Sequence, residues 1–220
     1  MSSSFIEVYR HTPESPWTYA DLERRQDKVR AEVLRGEPGR LIFAEVAPVV
    51  TVGFRKTEED LLFSREELAK RGVSVLEVSR GGRATYHGPG QWVVFPIDSL
   101  ERLTGDRRGV RKIVDSLFEV LLSVARERFP RAEAREGKEA GIWTESGAGG
   151  AKLAALGIRI VDGVVQHGVS VNGFPTPESF AGIRPCGLDA PVAYFGGSFE
   201  DLRVQLQTAF LQRFPGFRSG

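Results

Sequence analysis

Apolar residues recur at helical spacing in two long segments, which predicts amphipathic helices at residues 18–34 and 111–128. The stripe of the first helix consists of Tyr19, Leu22, Gln26, Val29 and Val33, and that of the second of Ile113, Leu117, Val120, Leu121 and Val124. Shorter patterns of the same kind predict helices at residues 58–71 and 199–214.

Short runs of β-branched and aromatic residues lie between these helices and predict β-strands. The predicted strands cover residues 5–9, 41–46, 49–52, 73–78 and 92–97. Residues 79–91 are rich in glycine and are predicted to form a loop. Residues 130–150, which are polar and glycine-rich, are predicted to form a second connection, interrupted by Gly141-Ile142-Trp143-Thr144.

A hairpin is predicted around Asp162-Gly163, because this dipeptide stands between two apolar runs and is typical of a two-residue turn. Counting outward from the turn pairs Val161 with Val164 and Gly157 with Gly168. Strands and helices follow one another without regular alternation. The pattern therefore predicts one α/β domain over residues 1–220, with a mixed β-sheet and flanking helices.

Composition and charge exclude several classes of function. The 30 Lys and Arg residues nearly balance the 29 Asp and Glu residues, so the formal net charge of +1 gives no case for a nucleic-acid partner. No apolar run approaches the roughly 20 residues of a membrane span. The first ten residues lack the apolar stretch of a secretory signal, so a cytoplasmic location is expected.

The chain contains one cysteine, Cys186, and three scattered histidines. A single cysteine cannot close an intrachain disulfide or build a thiolate cluster, and the histidine spacing does not match a metal motif. Residues 147–152 are glycine-rich, but they lack the Gly-Lys-Ser/Thr ending of a phosphate-binding loop. We therefore expect neither a metal nor a cofactor.

Three segments carry candidate chemistry, and each has a structural alternative. Residues 80–91 combine glycines with polar side chains, as in a substrate-binding loop, although a sterically required turn would need the same glycines. Cys186 lies between Pro185 and Gly187, where a turn could expose its sulfur, although most free cysteines are inert and buried. Lys152 precedes an apolar run; burial there would make its amine a usable base, whereas most lysines are solvated. His167 pairs with Ile158 in the predicted hairpin, far along the strand from Lys152, and is interpreted as structural.

Four motifs occur in the same order as in one known family: RGGRATYHGPGQ from Arg80, AKLAALGIRI, QHGVSVN and IRPCGL. Together they resemble the lipoyl(octanoyl) transferase family over residues 5–190. The resemblance implies a fold similar to the catalytic module of biotin and lipoate protein ligases. The sequence departs from the family at Val46, which stands where a histidine usually follows the glutamate.

The resemblance also implies which residues act. Cys186 would carry the acyl group as a thioester, with Lys152 as its partner. The substrate would contact Arg80, Gly81, Gly82, Arg83, Ala84, Thr85, Tyr86 and His87, together with Ala155, Leu156, Gly157, Gly168, Val169 and Ser170. Counting outward from the Asp162-Gly163 turn places residues 155–157 opposite residues 168–170, and this pairing does not depend on the resemblance.

The activity implied is transfer of an octanoyl group from acyl carrier protein to a lysine of a lipoyl domain. The acceptors would be the lipoyl domains of 2-oxoacid dehydrogenase complexes and the glycine cleavage H protein. Two alternatives remain open at this point. One is an ATP-dependent lipoate protein ligase of the same fold, and the other is a module that binds acyl carrier protein without catalysis.

Overall fold

The computed structural model describes residues 5–54, 60–145, 150–180, 182–184 and 190–218, whose strands form two β-sheets. The strands are β1 (Ile6–Tyr9), β2 (Arg40–Ala44), β3 (Val49–Val52), β4 (Ser74–Glu77), β5 (Ala84–His87), β6 (Gln91–Ile97), β7 (Glu133–Arg135), β8 (Gly141–Trp143), β9 (Lys152–Val161) and β10 (Val164–Asn172). The larger sheet has the order β1-β2-β6-β10-β9-β8-β7, and the smaller has the order β4-β3-β5. Both contain parallel and antiparallel pairs, so the predicted α/β fold with mixed sheet is confirmed.

Helices cover both faces of the larger sheet, and α2 packs against the smaller one. They are α1 (Tyr19–Leu34), α2 (Arg65–Lys70), α3 (Leu100–Thr104), α4 (Val110–Arg128) and α5 (Phe199–Arg213). Helices α4 and α5 pack together against one face, where Phe43, Trp92 and Val169 belong to the same core cluster. Helix α1 covers the other face, and side chains of the smaller sheet join its core cluster. The site described below lies on this second face.

The predicted stripe of the first helix is confirmed, because its five members are the residues that α1 buries. Thr18 starts the helix through a capping box, in which its hydroxyl accepts from the backbone N–H of Asp21 and the Asp21 carboxylate accepts from the Thr18 N–H. The apolar stripe decides which face of the helix packs against the sheet. Sequence periodicity therefore determined both the helix and its orientation.

The hairpin around Asp162-Gly163 is confirmed in its register. Val161 lies opposite Val164, and Gly157 lies opposite Gly168, as the count from the turn predicts. Both turn residues have positive φ, 52° at Asp162 and 76° at Gly163, as a two-residue type I′ turn requires. The turn chemistry thus fixes which residues of β9 and β10 become neighbours.

Three predictions of local structure were wrong. Residues 84–87 form β5 rather than a loop, because they pair with β3 in the smaller sheet. The helix predicted at 58–71 begins only after Ser64, whose capping box starts α2, while Leu61 forms a β-bridge with Ile183. The connection predicted at 130–150 contains β7, which was not predicted, and β8, which coincides with the interruption predicted at residues 141–144; both extend the larger sheet. Strand β5 and the bridge at Leu61 arise from pairing with distant segments, whereas β7 pairs with the nearby β8.

Among the described residues, no helix is both long and apolar enough to cross a membrane.

Candidate active site

A cavity opens between the larger sheet and the glycine-rich segment that leads into β5. It is a narrow cavity with a volume of about 50 Å³. We call it the interior cavity, and its lining is Tyr19, Arg80, Gly81, Gly82, Thr85, His87, Val93, Phe95, Ala155, Leu156, Gly157, His167, Gly168, Val169 and Ser170. Most residues that the resemblance assigns to the substrate therefore lie around one cavity.

Two glycines of the hairpin let other backbone segments approach the cavity wall. A side chain at Gly168 would begin 2.1 Å from the carbonyl oxygen of Val94 on the neighbouring strand. A side chain at Gly157 would begin 3.2 Å from the carbonyl oxygen of Gly81, so the glycine-rich segment lies close over β9. Any larger residue would push these segments apart and reshape the cavity.

Strand alternation divides residues 84–87 between two faces. Thr85 and His87 line the interior cavity, whereas Ala84 and Tyr86 point into the core of the smaller sheet with Val50. Arg83 also does not line this cavity; it lines a larger outer groove next to it. Of the predicted binding segment, the side chains of Arg83, Ala84 and Tyr86 thus lie away from the interior cavity.

Arg80 fastens the glycine-rich segment to the smaller sheet. Its buried guanidinium donates from Nη2 to the Thr51 carbonyl oxygen at 2.7 Å and from Nε to the Thr51 hydroxyl at 3.0 Å, and Nη1 donates to the Gly81 carbonyl at 2.9 Å. These bonds hold the backbone of Gly81 over the cavity. Arg80 therefore shapes the site as well as placing a positive charge beside it.

Burial keeps two histidines neutral. Burial, together with a smaller contribution from the nearby Arg80 guanidinium, lowers the pKa of both His87 and His167 to about 3. Tyr19 packs between them, stacked on the His87 ring at 5.1 Å, with its hydroxyl 3.4 Å from Nδ1 of His167. His167 also contacts the Ser79 hydroxyl through Nε2, at 3.3 Å. At neutral pH the cavity thus presents uncharged imidazoles.

Lys152 lies in a second, smaller pocket that adjoins the interior cavity. Thr85, Ala155 and Ser170 line both of them. The Lys152 side chain is only 6% exposed, and its Nζ lies 5.7 Å from the centre of the Trp143 ring, within cation–π range. Its aliphatic part passes over Gly141, where a side chain would begin 2.7 Å from Cε. We call this the lysine pocket; its remaining lining residues are Ala154, Asn172, Phe180 and Val192.

Cys186 lies outside the described residues, but the segments on either side of it are anchored. After it in the chain, the Lys152 N–H donates to the Pro191 carbonyl, and the Lys152 carbonyl accepts from the Ala193 N–H, both at 2.9 Å. Before it, the Arg184 N–H donates to the Asp60 carbonyl at 2.8 Å. The described flanks thus attach to the Lys152 backbone and to the segment beginning at Asp60.

Asp60 is a residue of the site region that sequence reasoning missed. Its carboxylate is 1% exposed and accepts two hydrogen bonds from Arg83, at 2.9 and 2.5 Å. Asp60 therefore connects the glycine-rich segment, through Arg83, with the segment that precedes Cys186, through Arg184. The one-dimensional pattern gave no sign of this role, because both contacts join residues far apart in the chain.

Replacing Asp60 with asparagine is expected to lower the free energy of unfolding by about 2 kcal/mol. The expected loss is smaller than the ~3–5 kcal/mol of a fully buried pair, because Arg83 is 31% exposed. Urea denaturation measures it. The matched control is Asp115→Asn, which removes an exposed ion pair with Arg111 and should cost less than about 0.5 kcal/mol. Equal losses in the two variants would contradict the role given to Asp60.

Glu45 is a second residue that sequence reasoning missed. Its carboxylate accepts from the Gly90 N–H at 3.0 Å and from Arg10 Nε at 2.7 Å. It thereby joins the segment after β2 to the turn between β5 and β6, which positions His87. Val46, next in the chain, is fully buried in the α1 core, where it contributes packing.

The described residues contain no group of three or more His, Cys, Asp or Glu side chains positioned to hold a metal ion.

Comparison with known proteins places the chain in a family. The model of the lipoyl protein ligase A/B catalytic domain matches residues 21–205. An octanoyltransferase of Caldicellulosiruptor bescii is 39% identical over 178 residues, which are 77% of this chain and 75% of that protein. An octanoyltransferase of Desulfotalea psychrophila is 38% identical over 178 residues, which cover 80% of this chain and 77% of that protein.

Two solved structures share the fold at low sequence identity. A bipartite lipoate protein ligase of Thermoplasma acidophilum superposes with a TM-score of 0.67 at 16% identity, covering 96% of this chain and 83% of that one. Lipoate-protein ligase A bound with ATP gives a TM-score of 0.62 at 16% identity, covering 96% and 85%. The family match, the relatives and the fold agree with the resemblance that the four motifs carry. The chain therefore belongs to the lipoyl protein ligase A/B catalytic domain family and, within it, to the lipoyl(octanoyl) transferases.

Proposed function

We propose that this protein transfers an octanoyl group from acyl carrier protein to a lysine of lipoyl domains, through a thioester on Cys186. The relatives that match most of the chain are octanoyltransferases. The observation that carries the proposal is the adjacency of two spaces: an interior cavity with apolar walls from Val93 and Phe95, and a lysine pocket that shares three of its lining residues. An acyl chain in the first would bring its carbonyl carbon to the second.

The position of Cys186 in the chain supports its role as nucleophile. Phe180 and Val192, six residues before and six after Cys186, both line the lysine pocket. Thiol chemistry needs the thiolate, of which an ordinary cysteine holds only a few per cent at neutral pH. Lys152 would raise that fraction, either by accepting the thiol proton or by stabilising the negative charge on sulfur.

The reaction then proceeds in two thioester-based steps. The Cys186 thiolate attacks the carbonyl carbon of the donor thioester, and the thiol of the acyl carrier prosthetic group leaves with a proton. The amine of the acceptor lysine then attacks the Cys186 thioester, forming the amide, and its proton passes to Lys152 and on to the leaving sulfur. Backbone N–H groups at Leu153 or Gly187 are the proposed stabilisers of the oxyanion.

The partners follow from this reaction. The donor is octanoyl-acyl carrier protein, and the acceptors are lipoyl domains of 2-oxoacid dehydrogenase complexes and the glycine cleavage H protein. The reaction takes place in the cytoplasm, within one domain over residues 1–220, and requires no metal or organic cofactor. The substrate would contact the residues of the predicted segments that line the interior cavity, which are Arg80, Gly81, Gly82, Thr85 and His87, with Ala155 to Gly157 and Gly168 to Ser170.

An ATP-independent reaction distinguishes this proposal from a lipoate ligase of the same fold. Incubation with octanoyl-acyl carrier protein and a lipoyl domain, without ATP, should give a lipoyl domain heavier by one octanoyl group. Intact-mass spectrometry measures the product. Transfer that required ATP and free octanoate would contradict the proposal and favour the ligase, and donor binding without any adduct or product would favour a non-catalytic module.

A further inference from the structure

Strands β9 and β10 separate at the open end of their hairpin, which carries Lys152. Their paired residues end with Ala154 and Val171, and beyond this point residues 191–195 lie between the two strands. Backbone hydrogen bonds of 2.9 Å join this segment to Lys152 on one side and to Asn172 on the other. The position of Lys152 relative to β10 therefore depends on the groups that span the gap.

A β-bulge directs the Lys152 side chain into the lysine pocket. Ile142 of β8 lies opposite Ala154 of β9. The next residue of β8, Trp143, lies opposite Lys152, which leaves Leu153 as an extra residue in β9. Leu153 and Ala154 are consecutive, yet both belong to the core cluster beneath α4 and α5, so the alternation of faces is interrupted here. Regular alternation would place Lys152 on the face of Ala154, and the direction of its amine thus depends on the bulge.

The carboxamide of Asn172 spans the gap beside this bulge. Its Nδ2 donates to the Lys152 carbonyl at 3.2 Å and to the Ala193 carbonyl at 3.3 Å. Its Oδ1 accepts from Nε2 of Gln91 at 2.9 Å, which fixes the orientation of the amide and leaves both Nδ2 hydrogens for the two carbonyls. The Asn172 side chain is 4% exposed and lines the lysine pocket. It therefore replaces, with a side chain, the ladder bonds that are lost where the strands separate.

The Lys152 carbonyl is held from two directions, by this carboxamide and by the Ala193 N–H at 2.9 Å. Building on the proposed octanoyl transfer, we propose that Asn172 is a positioning residue, whose carboxamide holds the bulge and thereby places the Lys152 amine in the lysine pocket. The bond is made to the Lys152 backbone, so Asn172 acts through the location of the amine. Loss of the carboxamide would let the backbone at the bulge move and the amine move with it.

A double-mutant cycle with Lys152→Met tests the proposal. Formation of the octanoyl adduct from octanoyl-acyl carrier protein is measured by quenched intact-mass spectrometry at neutral pH. Asn172→Ala should slow adduct formation by about 10- to 100-fold, because a misplacement of about 1 Å can cost a catalytic group up to roughly 10²-fold. In the Lys152→Met background the same substitution should slow it by less than about threefold, because that variant has no amine to misplace.

The pH profile gives a second readout that a packing defect would not change. The defect of Asn172→Ala should shrink as the pH rises above about 8.5, where the thiol ionises without help from Lys152. Thermal midpoints of all variants are measured beside the rates. If Asn172→Ala does not fold, Asn172→Ser serves the same test, because its hydroxyl keeps a polar atom in the gap but is too short to bridge both carbonyls.

Gln166→Ala is the matched control. Gln166 is another buried carboxamide on β10, but its Nε2 donates to the Asp27 carboxylate of α1, at 3.1 Å, and not to Lys152. Its loss should change the rate by the same factor in both backgrounds. Equal slowing by Asn172→Ala in both backgrounds, a defect that is constant with pH, or no slowing would overturn the proposal. Absence of any adduct in the wild-type protein would instead reject the octanoyl transfer itself.

Discussion

Replacement of Cys186 with alanine is expected to abolish the octanoyl adduct and to reduce ATP-independent transfer by at least about 10⁴-fold. Without the thiol no acyl-enzyme can form, and the loss of a covalent nucleophile is among the largest single effects known in enzymes. Intact-mass spectrometry of the protein after incubation with octanoyl-acyl carrier protein measures the adduct. Because the chain contains one cysteine, a hydroxylamine-labile, acid-stable adduct of the wild type has an unambiguous site.

Two controls make this experiment decisive. The thermal midpoint of Cys186→Ala should stay near that of the wild type, which separates loss of chemistry from loss of fold. Methanethiosulfonate treatment of the wild type should block transfer and leave Cys186→Ala unaffected, because the reagent has no other thiol to modify. Full transfer activity in Cys186→Ala would reject the covalent route.

Replacement of Lys152 with methionine is expected to slow adduct formation by about 10²- to 10⁴-fold at neutral pH, the usual contribution of a positioned acid or base. The defect should shrink as the pH rises above about 8.5, because the thiol then ionises without help. Stopped-flow or quenched intact-mass measurements across pH 6–10 give the profile. A defect that is constant over this range would indicate that Lys152 only supports packing.

Lys152→Arg distinguishes the two roles that the structure allows for the amine. Arginine keeps the positive charge beside the thiol but does not accept a proton. Recovery of adduct formation in this variant, relative to methionine, would assign Lys152 to electrostatic stabilisation of the thiolate, whereas failure to recover would assign it to proton transfer. Lys28→Met, which changes an exposed lysine on α1, is the control for charge alone and should not alter the rate.

The burial of Lys152 gives the physical basis for either role. Its side chain lies between the Trp143 ring and the backbone at Gly141, where few waters can solvate the ammonium. Removing this side chain leaves a space that methionine nearly fills, because the two have similar length. We therefore expect Lys152→Met to slow adduct formation strongly with little loss of stability.

Local patterns in the sequence were sufficient for those features whose physical cause is local. The periodic stripe of α1 predicted each of its buried residues, because burial of one helix face depends on spacing alone. The Asp162-Gly163 turn predicted the register of β9 and β10, because a two-residue turn leaves one pairing. The same count placed Gly157 opposite Gly168, which is how the motifs on the two strands of the hairpin come to line one cavity.

Features that depend on long-range pairing could not be predicted in this way. The strand at residues 84–87 was missed because its glycine-rich neighbours dominate the local pattern, while its partner β3 lies more than thirty residues earlier. The role of Asp60 was missed for the same reason. Its carboxylate pairs with Arg83, and its backbone holds Arg184.

The sequence by itself determined the α/β class, the hairpin register, and, through four motifs, the family and its candidate residues. Only the tertiary structure decided how those residues meet. Strand alternation turned Thr85 and His87 into the cavity and Ala84 and Tyr86 away from it, because the pairing of β5 with β3 sets which face is inward. Tertiary packing also left the buried Nε2 of His87 without a hydrogen-bond partner among the described residues. Burial and hydrogen bonding are properties of the packed chain and not of its residue order.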